Sequence, residues 1–181
     1  RVFNVGALHP YLKDENITGK KRFYHAMDLD PSQEFFFISM TPDRSLGSKN
    51  QTLAASLMTA MQAPCFNKFT LVCQDPGPKG FGQIMKRQMD MFLSRHPGRI
   101  RFIKTDANIP GAMTHCRAMI GNTDACVTEA AYFKTGVVSL GNRLKDRNNP
   151  GHMIQADMIP GAIAKAVQKV VCPLFQVKLM L

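Results

Sequence analysis

The chain has 181 residues, 45% of them hydrophobic and 20% charged, which is typical of one globular domain with a real hydrophobic core. No apolar run approaches the ~20 residues that a membrane span needs, and no signal peptide is visible, so we expect no membrane span. The formal net charge of +10 favours anionic partners, such as nucleic acid, acidic lipid or phosphorylated ligands.

Strand and helix patterns alternate in chain order. Continuous apolar runs such as Phe35 to Met40 predict strands buried on both faces, and the helical spacing of Leu53, Leu57 and Met61 predicts an amphipathic helix. The predicted strands cover residues 2–5, 35–40, 69–73, 101–104, 118–120 and 136–140. The predicted helices cover residues 51–61, 81–95, 110–117, 125–133 and 161–171, and an apolar tail follows at residues 172–181.

This alternation implies an α/β fold, a Rossmann-like parallel sheet with helices on both faces, in which residues 1–181 form a single domain. Because the chain begins with Arg1 in the middle of a predicted strand, we expect a fragment of a two-domain protein. The apolar tail would be exposed in a lone domain, so we expect it to pack against a missing N-terminal domain or a protein partner.

The cysteines and histidines show no metal-binding spacing. The five cysteines form no CxxC pair, and Cys73, Cys126 and Cys172 lie in apolar runs, so we interpret them as buried, reduced thiols of a cytoplasmic protein. The five histidines form no HxxxH pattern, and we predict no metal site. The basic residues are scattered and match no nucleic-acid-binding module, so nucleic acid is a less favoured partner.

Ligands of parallel sheets bind where the strands end, so the loops after the strands should hold the functional site. The richest of these segments has a polar turn at residues 121–124, a helix with one acid, Glu129, and a second turn with Arg143 and Arg147. Helix-start amides and bidentate arginines suit a diphosphate. A carboxylate one turn into the helix suits a ribose diol, so the pattern indicates a nucleoside diphosphate.

These residues also have structural interpretations. Thr123 and Asp124 are of types that commonly cap helices, Glu129 suits a solvated helix face, and the two arginines suit ordinary surface charge. Both interpretations stay open at this point. Weaker candidates, in loops expected at the same edge of the sheet, are Arg44 and Lys79.

The order and spacing of several motifs resemble the C-terminal half of the UDP-N-acetylglucosamine 2-epimerases, above all the hydrolysing kind. The strongest match is IGNTDACVTEAAYFKTGVVSLGNRLKDR, where the family pattern is similar to IGNSS-G-x-x-EA, a Gly-x-Pro-Val strand and IG-x-R-x-x-GR. Weaker matches, from VFNVGALHP at the start to FISMTPDR, FTLVCQDPGPKG and LSRHPGRIRFIK, extend the resemblance over almost the whole chain. The resemblance implies the architecture called GT-B, which consists of two Rossmann domains.

The resemblance also implies roles for individual residues. Thr123 stands where a serine of the family binds the diphosphate, Glu129 matches a glutamate that binds the uridine ribose, and Arg143 matches an arginine that faces the phosphates. The predicted nucleotide-binding residues are Asn122, Thr123, Asp124, Glu129, Arg143 and Arg147, with Gly6, Thr41, Arg44 and Asp75 as weaker candidates.

Several positions depart from the family pattern, and one of these departures is that Lys134-Thr135-Gly136 lacks the usual proline before the strand. Asp124 replaces a second phosphate-binding serine, and its carboxylate would repel a diphosphate unless one of the two arginines pairs with it. Cys126 replaces a glycine at the helix start, Thr41 takes the place of a motif histidine, and Asp75 is nearest to the place of an asparagine. Because the family's catalytic carboxylates come from the N-terminal domain, no catalytic residue is predicted in this chain.

The sequence is therefore compatible with two functions, and it does not decide whether the chain is an enzyme. The first is the nucleotide-binding half of a UDP-sugar 2-epimerase, hydrolase or glycosyltransferase that holds the diphosphate and ribose of a UDP-sugar. That site needs no cofactor, because a helix dipole and guanidinium groups can take the place of a metal. The alternative is a non-catalytic, GT-B-like binding or assembly module whose basic surface contacts a protein or nucleic-acid partner.

Overall fold

The computed structural model of the protein describes residues 18–147 and 151–180. Within these ranges the strands are β1 Phe35–Ser39, β2 Thr70–Cys73, β3 Ile100–Phe102, β4 Ala118–Gly121, β5 Val137–Leu140 and β6 Met153–Ala156. The α-helices there are α1 Lys20–Ala26, α2 Lys49–Ala60, α3 Gly80–Arg95, α4 Ile109–His115, α5 Glu129–Tyr132, α6 Pro160–Val171 and α7 Pro173–Met180. None of the described helices is long and apolar enough to cross a membrane. The predicted strand at residues 2–5, together with Gly6, lies outside the described residues.

The strands form one parallel sheet in the order β3-β2-β1-β4-β5-β6. From β1 the chain builds outward through β2 and β3, and it then crosses back to place β4, β5 and β6 on the other side. The point where the direction reverses lies between β1 and β4, and Ser39 is in register with Gly121 at the carboxyl ends of these two strands. This is the doubly wound Rossmann order, so the predicted fold class is confirmed.

The side chains of β1 show why the sheet is covered on both faces. Phe36 and Ile38 belong to the core layer of α2, α3 and α6, whereas Phe35 and Phe37 belong to the layer of α1, α4 and α5. All five residues of β1 are buried. A continuous apolar run is what a central strand of a parallel sheet requires, because each face must bury against a helix layer.

The structure corrects the predicted elements at three places. Helix α1 was missed, because Phe23 and Tyr24 are its buried residues and the others are exposed. Strand β6 was missed because it is an edge strand in which burial is limited to Met153 and Ala156. The helix predicted at residues 125–133 is instead a 3₁₀ turn, Asp124–Cys126, followed by the four-residue α5.

The segment predicted as an apolar tail contains a further helix, α7. Pro173 is the first residue of α7, a position where its fixed φ is favourable. Phe175 packs against the core layer of α2, α3 and α6. On the same helix, Leu174 is 83% exposed and Val177 is 60% exposed, so α7 buries Phe175 and Leu179 only in part and leaves other apolar side chains at the surface.

Candidate functional site

A cleft of about 250 Å³ lies at the carboxyl ends of the strands, at the reversal point between β1 and β4. Helix α4 forms an apolar wall of the cleft, and the ends of β1, β2 and β4 supply polar groups. The lining residues are Ser39, Gln74, Asp106, Ile109, Pro110, Met113, Thr123, Ala125 and Glu129. Of the predicted site residues, Thr123 and Glu129 therefore face this cleft. Its position is the one at which open parallel sheets bind ligands.

A chain of side-chain hydrogen bonds ties three strands together inside the cleft. Ser39 Oγ donates to Gln74 Oε1 at 2.7 Å, and Ser39 Oγ and Thr123 Oγ1 are 3.0 Å apart. Because Ser39 has a single hydroxyl proton, Thr123 is the donor of the second bond. A ligand that accepts a hydrogen bond from Thr123 Oγ1 must therefore replace the bond that Thr123 donates to Ser39. Ser39 and Gln74 were missed from the sequence, where their signal was no more than a polar residue at the end of an apolar run.

Two predicted ligand residues, Asn122 and Thr41, bond to each other. Thr41 N donates to Asn122 Oδ1 at 2.8 Å, and Asn122 Nδ2 donates to Thr41 O at 2.9 Å. The side chain of Asn122 is buried, with 1% exposure. Asn122 therefore links the loop after β4 to the loop after β1.

Gly121 permits a very close approach of β4 to β1. A Cβ atom at this position would lie 1.8 Å from the carbonyl oxygen of Ser39, which is a backbone atom and cannot turn away. Asn122 N also donates to Ser39 O at 3.2 Å. The glycine of the polar turn is thus required by the strand packing beneath the cleft.

Asp124 is paired with both predicted arginines. Its Oδ2 atom lies 3.5 Å from Arg143 Nη2, and its Oδ1 atom lies 3.2 Å from Arg147 Nη2. The side chains of Asp124 and Arg147 are 58% and 62% exposed, and that of Arg143 is 34% exposed. Arg143 also helps to lower the pKa of Asp43, after the larger effect of the hydrogen bond that the Ser45 side chain donates to this carboxylate. The structure therefore supplies the counter-charge that a carboxylate beside a phosphate site would need.

Glu129 is the first residue of α5, and it is half-buried at the wall of the cleft. Asp106, in the 3₁₀ turn Asp106–Asn108, supplies a second carboxylate to the same lining. The cleft thus combines carboxylates and hydroxyl groups with an apolar wall, whereas the guanidiniums of Arg143 and Arg147 lie beside it, at Asp124. This arrangement separates a region suited to hydroxyl groups from a region suited to anions.

The weaker candidates do not line the cleft. Arg44 lies in the exposed 3₁₀ turn Arg44–Leu46. Asp75 accepts a hydrogen bond from Gly77 N at 2.8 Å, and its neighbour Gln74 faces the cleft in its place. Lys79 precedes α3 as its N-cap residue. The structure therefore brings together the polar turn, Glu129 and the two arginines, and it leaves these three residues outside.

A buried thiol and a buried imidazole support the polar turn. Cys126 is fully buried, and burial raises the pKa of its thiol to about 11. His152 Nε2 lies 2.8 Å from the carbonyl oxygen of Cys126, and His152 is 5% exposed. All five cysteines are free. Cys73 and Cys126 are buried as predicted, whereas Cys172, which was predicted to be buried, is only partly buried, and Cys65 is exposed. No cluster of three or more His, Cys, Asp or Glu side chains that could hold a metal ion occurs in the described part of the chain.

A sequence comparison identifies one relative of known activity. No protein-family model matches the chain. The sequence is 26% identical over 164 residues to the GDP/UDP-N,N'-diacetylbacillosamine 2-epimerase (hydrolyzing) of Campylobacter jejuni. That alignment covers 87% of this chain and 41% of the relative, so the chain spans less than half of the relative's length.

Solved structures of sugar-nucleotide enzymes share the fold. The UDP-GlcNAc 2-epimerase from Neisseria meningitidis, bound to UDP-GlcNAc, matches with a TM-score of 0.68 at 12% identity, over 88% of this chain and 43% of that one. Staphylococcus aureus MnaA, solved with UDP, matches with a TM-score of 0.66 at 14% identity, over 94% and 44%. An alpha,alpha-trehalose-phosphate synthase (UDP-forming) from Burkholderia vietnamiensis matches with a TM-score of 0.59 at 14% identity, over 86% and 38%. The resemblance to one half of the 2-epimerases, and the GT-B-like Rossmann fold that it implied, are thereby confirmed.

Proposed function

We propose that this domain is the nucleotide-diphosphate-sugar binding half of a sugar-nucleotide enzyme, a UDP-sugar 2-epimerase, hydrolase or glycosyltransferase. The observation that carries the proposal is the cleft at the reversal point between β1 and β4, where a hydroxyl chain and Glu129 lie next to a pair of arginines. The relatives support the same ligand class, because the sequence relative is a GDP/UDP-sugar 2-epimerase and the structures that share the fold include complexes with UDP and with UDP-GlcNAc.

In this proposal each region of the site takes one part of the ligand. The carboxylate of Glu129 accepts hydrogen bonds from the two hydroxyls of the ribose, since an ionised carboxylate can accept both. Thr123 and the guanidiniums of Arg143 and Arg147 hold the diphosphate, because charge-assisted bidentate bonds are the strongest that a phosphate makes with protein. Asn122 and Thr41 position the turn through their mutual bonds.

The chemical step proposed for the complete enzyme breaks the bond between the sugar carbon and the diphosphate oxygen. The electron pair of that bond stays with the diphosphate, which leaves as UDP, while the sugar carbon gains a bond from water or an acceptor hydroxyl, or forms a double bond as the neighbouring carbon loses a proton. Negative charge therefore develops on the diphosphate, and the guanidiniums lower the barrier because they stabilise that charge more in the transition state than before it. The groups that act on the sugar would come from a second domain. We place that domain or another protein partner against α7, where Leu174 and Val177 are exposed. A cytoplasmic location, which the five free cysteines favour, belongs to the same proposal.

Calorimetric titration with UDP, with GDP, ADP and UMP as comparison ligands, tests this function. We expect selective binding of UDP, and we expect Glu129→Ala to weaken it by about 10- to 100-fold, because hydrogen bonds to a charged group are lost. Glu34→Ala is the matched control, since Glu34 is a carboxylate at the opposite edge of the sheet, paired with Lys68 at 2.9 Å. The proposal is wrong if no nucleotide binds, or if the two variants weaken UDP binding equally.

One observation favours the non-catalytic alternative. Asp124 already pairs with both arginines, so the anion site of this chain is compensated without a ligand. A binding or assembly module with a disused nucleotide site would show this arrangement and would leave the apolar side chains of α7 to contact a partner. Under this alternative, none of the four nucleotides binds and Glu129→Ala changes nothing measurable.

A further inference from the structure

We propose that Asp124 is a built-in competitor of the ligand's phosphates for Arg143 and Arg147, and that it makes the site discriminate against the more highly charged nucleotides. The inference rests on the proposed function and deepens it, because it concerns the specificity of the same site. It starts from the arrangement of charges: one carboxylate holds two guanidiniums, with a different oxygen atom for each.

The position of Asp124 makes this competition direct. Asp124 follows Thr123, which lines the cleft, and it begins the 3₁₀ turn Asp124–Cys126. The turn is held by backbone bonds from Cys126 N to Thr123 O and from Val127 N to Asp124 O, at 3.0 and 2.9 Å. The backbone is therefore fixed independently of the carboxylate, so the ion pairs can exchange while the turn keeps its shape.

The ion pairs are also weak enough to be displaced. Both partners of the Asp124–Arg147 pair are more than half exposed, and Arg143 is about one-third exposed. Ion pairs of this exposure contribute little net stability, because water and salt screen them and two flexible side chains must be ordered. A phosphate offers the guanidiniums stronger bidentate bonds than a solvated carboxylate does. Asp124 therefore reduces the affinity for phosphate without closing the site to it.

A charge count explains the discrimination. With Asp124 in place, the two guanidiniums and one carboxylate have a net charge of +1, whereas Asp124→Asn would leave +2. A diphosphate esterified at both ends, as in a UDP-sugar, carries about two negative charges, and free UDP carries up to one more near pH 7. The additional negative charge of UDP is repelled by the carboxylate of Asp124, which stays near the arginines after the phosphates have displaced it. Asp124 thus disfavours free nucleoside diphosphate relative to its sugar ester, which would assist release of the nucleotide after the sugar has left.

The test compares Asp124→Asn with Asp146→Asn, a control that removes the same charge from an exposed residue in the loop after β5, where the two arginines lie. Calorimetry would measure uridine, UDP-N-acetylglucosamine and UDP binding to the wild type and to each variant. For Asp124→Asn we expect no change with uridine, about threefold tighter binding of the sugar ester and about tenfold tighter binding of UDP, a range set by the weakness of exposed ion pairs. In an Arg143→Met/Arg147→Met background these gains should disappear. The inference is overturned if Asp124→Asn binds UDP no more tightly than Asp146→Asn does, or if both phosphate ligands gain equally.

Inorganic pyrophosphate separates this inference from the proposed function. It presents two phosphates without a nucleoside, so it probes the arginines alone. Tighter pyrophosphate binding by Asp124→Asn than by Asp146→Asn, in a protein that binds no nucleotide, would support the competition while the nucleotide site fails. Equal pyrophosphate and nucleotide binding by the two variants would overturn the competition, whatever the wild type binds.

Discussion

Arginines bind different partners at the two ends of the strands, called here the amino edge and the carboxyl edge of the sheet. At the amino edge, Arg99 precedes β3 and donates to the carbonyl oxygens of Met61, Phe66 and Phe69 at 2.8–3.2 Å. Its guanidinium also lies 5.4 Å from the ring centroid of Phe92, and burial lowers its pKa. At the carboxyl edge, the guanidiniums lie against the exposed carboxylate of Asp124. Arg99 is thus bound to backbone carbonyls that the fold holds in place. Arg143 and Arg147 are bound to the side chain of Asp124, which is free to rotate away.

This difference shows that the net charge of +10 does not measure the positive charge available to a ligand, because some of the arginines bind the backbone. Arg117, which precedes β4, likewise donates to Val171 O at 2.7 Å, so a second cation of the amino edge completes the backbone bonding of the fold. At the carboxyl edge, Arg143 and Arg147 pair instead with the solvent-exposed carboxylate of Asp124. Stability should therefore depend on the arginines of the amino edge, and ligand affinity on those of the carboxyl edge.

The largest loss of stability is expected for a substitution at the carboxyl edge, Gly121→Ala. Gly121→Ala would place a Cβ atom 1.8 Å from Ser39 O, so β4 and β1 would have to separate. We expect a loss of about 3 kcal/mol or more in the free energy of unfolding, measured by urea denaturation. Gly161→Ala in α6 is the control, because nothing lies within 4 Å of its added carbon. An equal, small effect of both substitutions would show that β4 and β1 can separate at Gly121 at little cost, which would contradict the prediction.

Removal of the amino-edge guanidinium should have the next largest effect. Arg99→Met keeps an unbranched side chain but removes the guanidinium donor from the carbonyls of Met61, Phe66 and Phe69, of which Phe66 O keeps a bond from Phe69 N. We expect a loss of about 2–3 kcal/mol in the free energy of unfolding, since several buried acceptors are affected at once. Arg95→Met, at the exposed end of α3, should stay within about 0.5 kcal/mol. If Arg99→Met proves as mild as this control, the contrast between the two edges fails.

Alkaline pH should weaken the support of the polar turn. The folded protein raises the pKa of Cys126 to about 11, so its neutral thiol stabilises the fold below the ordinary thiol pKa near 9, and this contribution is lost as the pH rises through 11. At pH 10 the loss should be about 1 kcal/mol, because the unfolded state has released a proton that the folded state still holds. Urea denaturation at pH 7.5 and 10 should show a smaller decrease for Cys126→Ala than for the wild type. Cys65→Ala, at an exposed thiol, should behave like the wild type.

The smallest effect on stability is expected for the exposed arginine of the carboxyl edge. Arg147→Met should change the free energy of unfolding by no more than about 0.5 kcal/mol, because its pair with Asp124 is more than half exposed. The same substitution should weaken UDP binding by about three- to tenfold, since one charge-assisted contact is lost. Arg117→Met should show the reverse, with lower stability and unchanged UDP affinity. Equal effects of the two variants on both quantities would contradict the division of roles.

Much of the fold could be predicted from the sequence, because apolar runs such as Phe35 to Met40 have one interpretation in a parallel sheet. The missed elements are those whose burial is partial. Helix α1 buries two of its seven residues, and β6 is an edge strand, so neither has the periodicity that pattern analysis detects.

The site could be predicted as a set of residues but not as a set of contacts. Thr123, Glu129 and the two arginines were identified from their order along the chain, and the structure brings them to one edge of the sheet. The bonds between Asn122 and the backbone of Thr41 depend on the register of two distant segments, which no local pattern encodes. The same holds for Ser39, whose partners lie 35 and 84 residues away. The roles of these residues in nucleotide binding remain predictions.

The most direct test of the central claim is a titration of the ¹⁵N-labelled protein with UDP, followed by amide chemical shifts. We predict that the shifted resonances cluster at the carboxyl edge, at Ser39, Gly121 to Thr123 and Glu129, while those of Arg99, Arg117 and Cys65 at the amino edge do not move. Shifts confined to the amino edge, or no shift at millimolar UDP, would contradict a nucleotide site at the reversal point between β1 and β4.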